Sequence, residues 1–121
     1  MAQFRSITDV PIYHKLYGLY KMLHSYQNGI PKSQRYSLWL KCENITLSLL
    51  ETLIHIGGCK SEERTKFLHK MSTQLDLLKV LFRLAKDTLC IDTKQYLVIQ
   101  DFVQEIGKMI GGWIKSVPQR A

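Results

Sequence analysis

The sequence predicts an all-α protein, an antiparallel up-down-up-down four-helix bundle, on three observations. Apolar residues recur at steps of three and four through four separate stretches, and none alternates with the period of two that a strand needs. Helix stop and start residues punctuate the short links between them. Long helices joined by short links pack as antiparallel neighbours. The 121 residues fit one domain, 1–121, large enough to bury a core without metal or disulfides. The helices are expected at roughly 10–27, 34–56, 62–89 and 93–117.

Residues 1–8 read as a loose arm. Asp9 can cap the first helix, whose opening turn holds Pro11, where a missing N–H does no harm. Ile12, Leu16, Leu19 and Leu23 form its core stripe. Asn28-Gly29-Ile30-Pro31 offers a left-handed stop residue and a proline that forbids continuation. Beside the stripe, Tyr13, Tyr17, Tyr20 and His24 stack at intervals of four, three and four, with Lys21 on the flank. Such a row can stack on nucleic-acid bases or pack in the bundle with its hydroxyls in water.

Ser33 is the expected cap of the second helix, which Gly57-Gly58 ends. Leu38, Cys42, Ile45, Leu49, Leu53 and Ile56 make one stripe, while Tyr36, Leu40, Leu47 and Ile54 make another well around the cylinder. A helix apolar on two sides is buried on two sides. The second stripe therefore covers a subunit interface, unless this is the central helix of a compact monomer.

Ser61 is the expected cap of the third helix, with Glu62 and Glu63 at the positive end of its dipole. Phe67, Leu68, Met71, Leu75, Leu78, Phe82, Ala85 and Leu89 follow helical spacing, and Lys79, Arg83 and Lys86 form a basic ridge along one flank. That ridge can meet successive phosphates, or it can be a solvated face partly neutralised by Asp76 and Asp87.

The fourth helix has the best-specified start. Asp92 and Gln95 have capping-box spacing, and Ile91 and Tyr96 occupy the two positions of a hydrophobic staple. Ile99, Phe102, Val103, Ile106, Ile110, Trp113 and Val117 form its stripe, Pro118 ends it, and Gln119-Arg120-Ala121 reads as a frayed tail. Interior glycines cost a helix roughly 1 kcal/mol each, so Gly107, Gly111 and Gly112 need a reason. Gly107 and Gly111 lie one turn apart beside the stripe, where another helix can approach closely, within one bundle or between subunits.

The 17 Lys+Arg against 10 Asp+Glu give a formal charge of +7 and a pI near 9.4, which favours polyanionic partners and also serves solubility. Cys42, Cys59 and Cys90 are odd in number, far apart and without a CxxC pair, so neither a disulfide framework nor a zinc site is expected, and a reducing cytoplasm fits. The N-terminus lacks a signal-peptide core. No run of about 18 uncharged apolar residues is present to span a membrane.

Catalytic motifs are missing. His14, His24, His55 and His69 show no HExxH spacing, and the glycine pairs lack a phosphate-loop frame. Glu51 and His55, four apart, can share a ligand or simply touch within one helix. No catalytic triad stands out. An enzyme is not expected, and no cofactor or metal is implied.

Two segments carry a family resemblance. Ile106-Gly107-Lys108-Met109-Ile110-Gly111-Gly112-Trp113-Ile114-Lys115-Ser116 resembles the closing signature of the Avd (accessory variability determinant) proteins of diversity-generating retroelements. Leu75-Asp76-Leu77-Leu78-Lys79-Val80-Leu81-Phe82-Arg83-Leu84-Ala85-Lys86 resembles the third helix of that family. The likeness runs from Tyr13 to Lys115. It implies a homopentamer of bundles forming a basic, roughly barrel-shaped particle that binds the element's reverse transcriptase and its template RNA or DNA. There it would support mutagenic copying of a template repeat into a variable gene. The architecture is also similar to that of bundle proteins encoded in ribosomal-RNA intervening sequences, which implies the alternative of a structural oligomer or scaffold with no direct polymerase role. The family brings no catalytic residues. Helical position and charge make Lys79, Arg83, Lys86, Lys108 and Lys115 the candidates for nucleic-acid or polymerase binding. Tyr36, Leu40, Leu47, Ile54, Gly107 and Gly111 are the candidates for the oligomer interface.

Overall fold

A computed structural model describes residues 7–117. Four long helices dominate: α1 (Pro11–Tyr26), α2 (Leu38–Gly58), α3 (Ser61–Asp87) and α4 (Thr93–Ser116). The described residues contain no strand. Each helix packs on two neighbours, in the cyclic order α1, α2, α3, α4 and back to α1, which makes a four-helix bundle. The stripes turn inward as their spacing requires. Leu16, Leu19 and Leu23 of α1 meet Cys42, Leu49 and Leu53 of α2, Met71, Leu78 and Phe82 of α3, and Ile99, Val103 and Ile106 of α4 in one buried cluster.

Trp39 lies outside the stripe expected for α2, yet it is fully buried. Its Nε1–H donates to the Leu23 carbonyl at 3.0 Å, and its ring sits 6.3 Å from that of Phe82. The indole can enter the core because its polar atom is satisfied there.

The helix starts divide into one that follows its side-chain signal and several that do not. At α4 the capping box is complete: Gln95 N–H donates to Asp92 Oδ1 at 2.7 Å, and Asp92 N–H donates to Gln95 Oε1 at 3.0 Å. Asp9, Ser33 and Ser61 do not cap. Asp9 closes a short 3-10 turn (Ile7–Asp9), leaving Val10 as the flanking residue of α1. Ser33 lies inside a four-residue helical turn (Lys32–Arg35), and its carbonyl accepts from Ser37 Oγ at 2.6 Å. The chain breaks over Tyr36 and Ser37 before α2 begins at Leu38. Ser61 is itself the first helical residue, flanked by Lys60 without a side-chain cap.

Two links correct the sequence reading. Gly29 belongs to a 3-10 turn (Gln27–Gly29), and no glycine among the described residues has positive φ. The left-handed residue is Leu89, at φ 61°. There α3 ends: Cys90 N–H reaches back to the Ala85 carbonyl at 2.8 Å and Leu89 N–H to that of Lys86 at 3.1 Å, the paired bonds of a Schellman stop. Leu89 thus leaves the α3 stripe and is 84% exposed. At the other end, residues 1–6 of the expected loose arm lie outside the described residues, and Ile7 and Thr8 belong to the 3-10 turn. A Cβ on Gly57 would stand 3.2 Å from Ile7 Cβ, so the glycine lets the N-terminal turn lie on the end of α2. Pro118 and the tail Gln119-Arg120-Ala121 lie outside the described residues.

Candidate nucleic-acid and partner interface

The α3 ridge becomes one wall of a shallow groove whose other wall is α4. Lys79, Val80 and Arg83 face Tyr96 and Gln100 across it. Antiparallel register sets this meeting: Gly107 lies against Leu75, with its virtual Cβ 3.5 Å from Leu75 Cδ2, and the Lys86 Nζ stands 5.3 Å from the centre of the Tyr96 ring. Lys86 therefore gains a cation–π partner.

Two of the ridge cations are already engaged. Lys79 Nζ lies 3.8 Å from Asp76 Oδ1, and Arg83 Nε lies 3.3 Å from both carboxylate oxygens of Asp87. All four side chains are at least half exposed, so each pair is worth little in water and opens readily to a phosphate. Lys108 and Lys115 are exposed on α4, seven residues apart, with no ion pair among the described residues. From the same register, Lys108 is level with the Leu75 turn and Lys115 lies two turns beyond. The five candidates are therefore spread along the length of α3 and α4, with Arg83 and Lys86 toward the α3–α4 link, Lys79 and Lys108 between, and Lys115 toward the opposite end.

The tyrosine row lies along the surface of α1. Tyr13 and Tyr17 are 5.8 Å apart, Tyr20 and His24 stack at 6.3 Å, and Lys21 Nζ covers the Tyr17 ring at 5.1 Å. Tyr17 is exposed, while Tyr13 is half-buried against the core.

On α2 the second stripe faces outward. Leu40, Leu47 and Ile54 are exposed, Ile54 by 58%. Tyr36 is exposed too, but it sits in the turn before the helix, with the Arg35 guanidinium 6.0 Å from its ring centre. The Gly107 and Gly111 strip receives no helix backbone: Gly107 meets only the Leu75 side chain, and nothing lies within 4 Å of a Cβ at Gly111. Sequence reasoning missed a second outward apolar set, Leu77, Val80 and Leu84 on α3. Its signal was present at steps of three and four, interleaved with the charged ridge.

Buried chemistry is confined to isolated groups. Glu43 is buried and accepts from Gln27 Nε2 at 2.6 Å. Burial, aided by the neighbouring Cys90 and Glu43, pushes the Cys42 thiol up to about 12, and burial also raises Cys90. His55 stacks on Phe67 with ring centres 5.8 Å apart. Among the described residues no cluster of three His, Cys, Asp or Glu can hold a metal, and no helix is long and apolar enough to cross a membrane.

Fold and surface define a basic helical bundle whose exposed features are cations and unpartnered apolar stripes. A family model described as bAvd-like matches residues 11–117, and the chain belongs to that family of Avd-type proteins. A search of curated proteins gives no match.

Proposed function

We propose that this protein is the non-catalytic accessory subunit of a diversity-generating retroelement, binding the element's reverse transcriptase and its template RNA or DNA to support mutagenic reverse transcription, or mutagenic retrohoming. The bAvd-like match over residues 11–117 carries the reading. The groove cations Lys79 and Arg83, with Lys86 beside them over Tyr96 and Lys108 and Lys115 on α4, are the surface offered to the polyanion or the polymerase. Phosphates bind such a surface through charge, with little regard to sequence. The outward stripe of α2, Leu40, Leu47 and Ile54, with exposed Tyr36 beside it, is offered to other copies in a homopentameric ring. Gly107 and Gly111 remain candidates for the same contact. Five copies would present five times the +7 of one chain and act in the cytoplasm beside the polymerase.

The test is co-purification of the chain with the reverse transcriptase of its own element, followed by copying of the template repeat with and without it. A stable complex, and mutagenic copying or altered products only when the chain is present, are expected. A polymerase that neither binds the chain nor changes its products would overturn the reading. A second reading is a structural oligomer of the intervening-sequence protein type, and the neutralising contacts of Asp76 and Asp87 favour it. It requires no RNA affinity at physiological salt.

A further inference from the structure

The outward faces of α2 and α3 have matching patterns. On α2 the exposed residues Leu40, Asn44, Leu47, Glu51 and Ile54 follow one another at steps of four, three, four and three. On α3, exposed Lys70, Thr73, Leu77, Val80 and Leu84 follow at three, four, three and four. Read in opposite directions, the two series coincide. Leu40 then stands opposite Leu84, Asn44 opposite Val80, Leu47 opposite Leu77, Glu51 opposite Thr73 and Ile54 opposite Lys70. Steps of three and four in alternation are those of an interhelical seam.

Charge supports the same alignment. Glu51 is the acid within the α2 series, and Lys70 lies one turn from the position facing it. Neither has an ion pair within 4 Å among the described residues. Leu40 meets Leu84 and Leu47 meets Leu77, while Glu51 comes within one turn of Lys70, which stands opposite Ile54.

We infer that the α2 face of one copy docks antiparallel on the α3 face of the next, with Leu47 against Leu77 at its centre. This rests on the self-association proposed above and specifies its geometry. The two faces are on different helices, so the contact is heterologous. A two-fold pairing of α2 with α2 would leave Leu77, Val80 and Leu84 in water.

Register adds that the contact is free to close. Within one chain, Trp39 lies beside Phe82, Thr52 Oγ1 lies 3.1 Å from Gln74 Oε1, and His55 stacks on Phe67. Pairing 40 with 84, 47 with 77 and 54 with 70 puts the neighbour's α3 at the level of the chain's own α3 to within about three residues, roughly 3–5 Å at the rise of a helix. Neighbouring bundles are then related by rotation with almost no shift along the helices. A heterologous contact closes into a ring only where there is no such shift and the rotation closes, and one with a shift makes a filament.

The experiment uses the full chain and two variants, Leu47→Glu and Leu77→Glu, with absolute mass read by light scattering and folding checked by circular dichroism. Both positions are exposed, so the helices should remain intact. Each variant alone should be a 14.1 kDa monomer, because each lacks one half of the contact. Mixed in equal amounts, they should form a heterodimer of twice that mass, through the intact α3 face of the first and the intact α2 face of the second. A wild-type monomer would remove the self-association itself. An oligomeric wild type with either variant still assembled, or with no heterodimer in the mixture, would overturn this pairing while leaving self-association standing. The charge exchange Glu51→Lys with Lys70→Glu serves as a second pair. Each single change should lower the association constant several-fold and the double change should restore it, whereas no recovery would count against the register.

Discussion

Leu89 holds the left-handed position that glycine usually fills, and it does so with 84% of its surface in water. A left-handed conformation costs a residue with a Cβ about 1–2 kcal/mol, and little burial is available here to offset it. Leu89→Gly should therefore raise stability by up to about 1 kcal/mol, after the greater chain entropy of glycine is subtracted. A urea midpoint that rises with unchanged slope would show it, and a fall would mean that Leu89 is covered in the native particle. The buried thiol of Cys42 gives a pH dependence of definite sign. Its proton is held to about pH 12 in the folded chain, while the unfolded thiol ionises near 8.5. The folded state then binds more protons, so the thiol's contribution is intact below about pH 8.5 and is lost as pH climbs toward 12. Cys90 and Tyr26, the latter raised by burial and by Asp92, act in the same direction. Cys42→Ala should flatten part of the alkaline fall in thermal midpoint, and an unchanged profile would contradict this assignment.

At the scale of the helix, the glycines of α4 can be sorted by what surrounds them. Gly111 has open space where a Cβ would go, so Gly111→Ala should stabilise the isolated bundle by about 1 kcal/mol through helix propensity alone. Should Gly111 lie in a subunit contact, the same change would lower the oligomer mass while raising the stability of the chain, and the two readouts separate the cases. The helical stripes and the α4 capping box were legible in sequence because each is a local pattern whose partner lies three or four residues away. Asp92 and Gln95 need nothing beyond their own turn. The break at Tyr36 and Ser37 was not legible: no proline or glycine marks it, and the turn before it is tied to a distant segment, Gln34 Nε2 donating to the Thr88 carbonyl and hydroxyl at 3.2 Å, fifty-four residues away. The spacing of Leu89 fits the core stripe, and the reverse of the chain that expels it is made by backbone bonds. The basic ridge was legible as charge, but its opposing wall of Tyr96 and Gln100 is a product of packing. The outward stripe on α3 was masked by the cations that share its turns.

For the whole molecule, the candidate cations differ in how free they are. Lys115 is exposed and unpaired among the described residues, whereas Arg83 is shared with Asp87. Neutralising a lysine that meets a phosphate lowers the dependence of log affinity on log salt by about one. Lys115→Ala should therefore reduce that slope for RNA more than Arg83→Ala, which frees Asp87 and weakens binding with a smaller change of slope. Equal slopes for both variants and the wild type would place phosphate contacts elsewhere. The two tryptophans supply an optical means of following such events. Trp39 is sealed in the core with its N–H bonded, while Trp113 is half-buried near the end of α4, two residues before Lys115. Their fluorescence is thereby divided by origin: Trp39 emits from an apolar, water-free site until the bundle opens, and Trp113 senses ligand or subunit arrival at the α4 end. With Trp113→Phe in hand, the difference spectrum separates docking from unfolding without a dye or a tag.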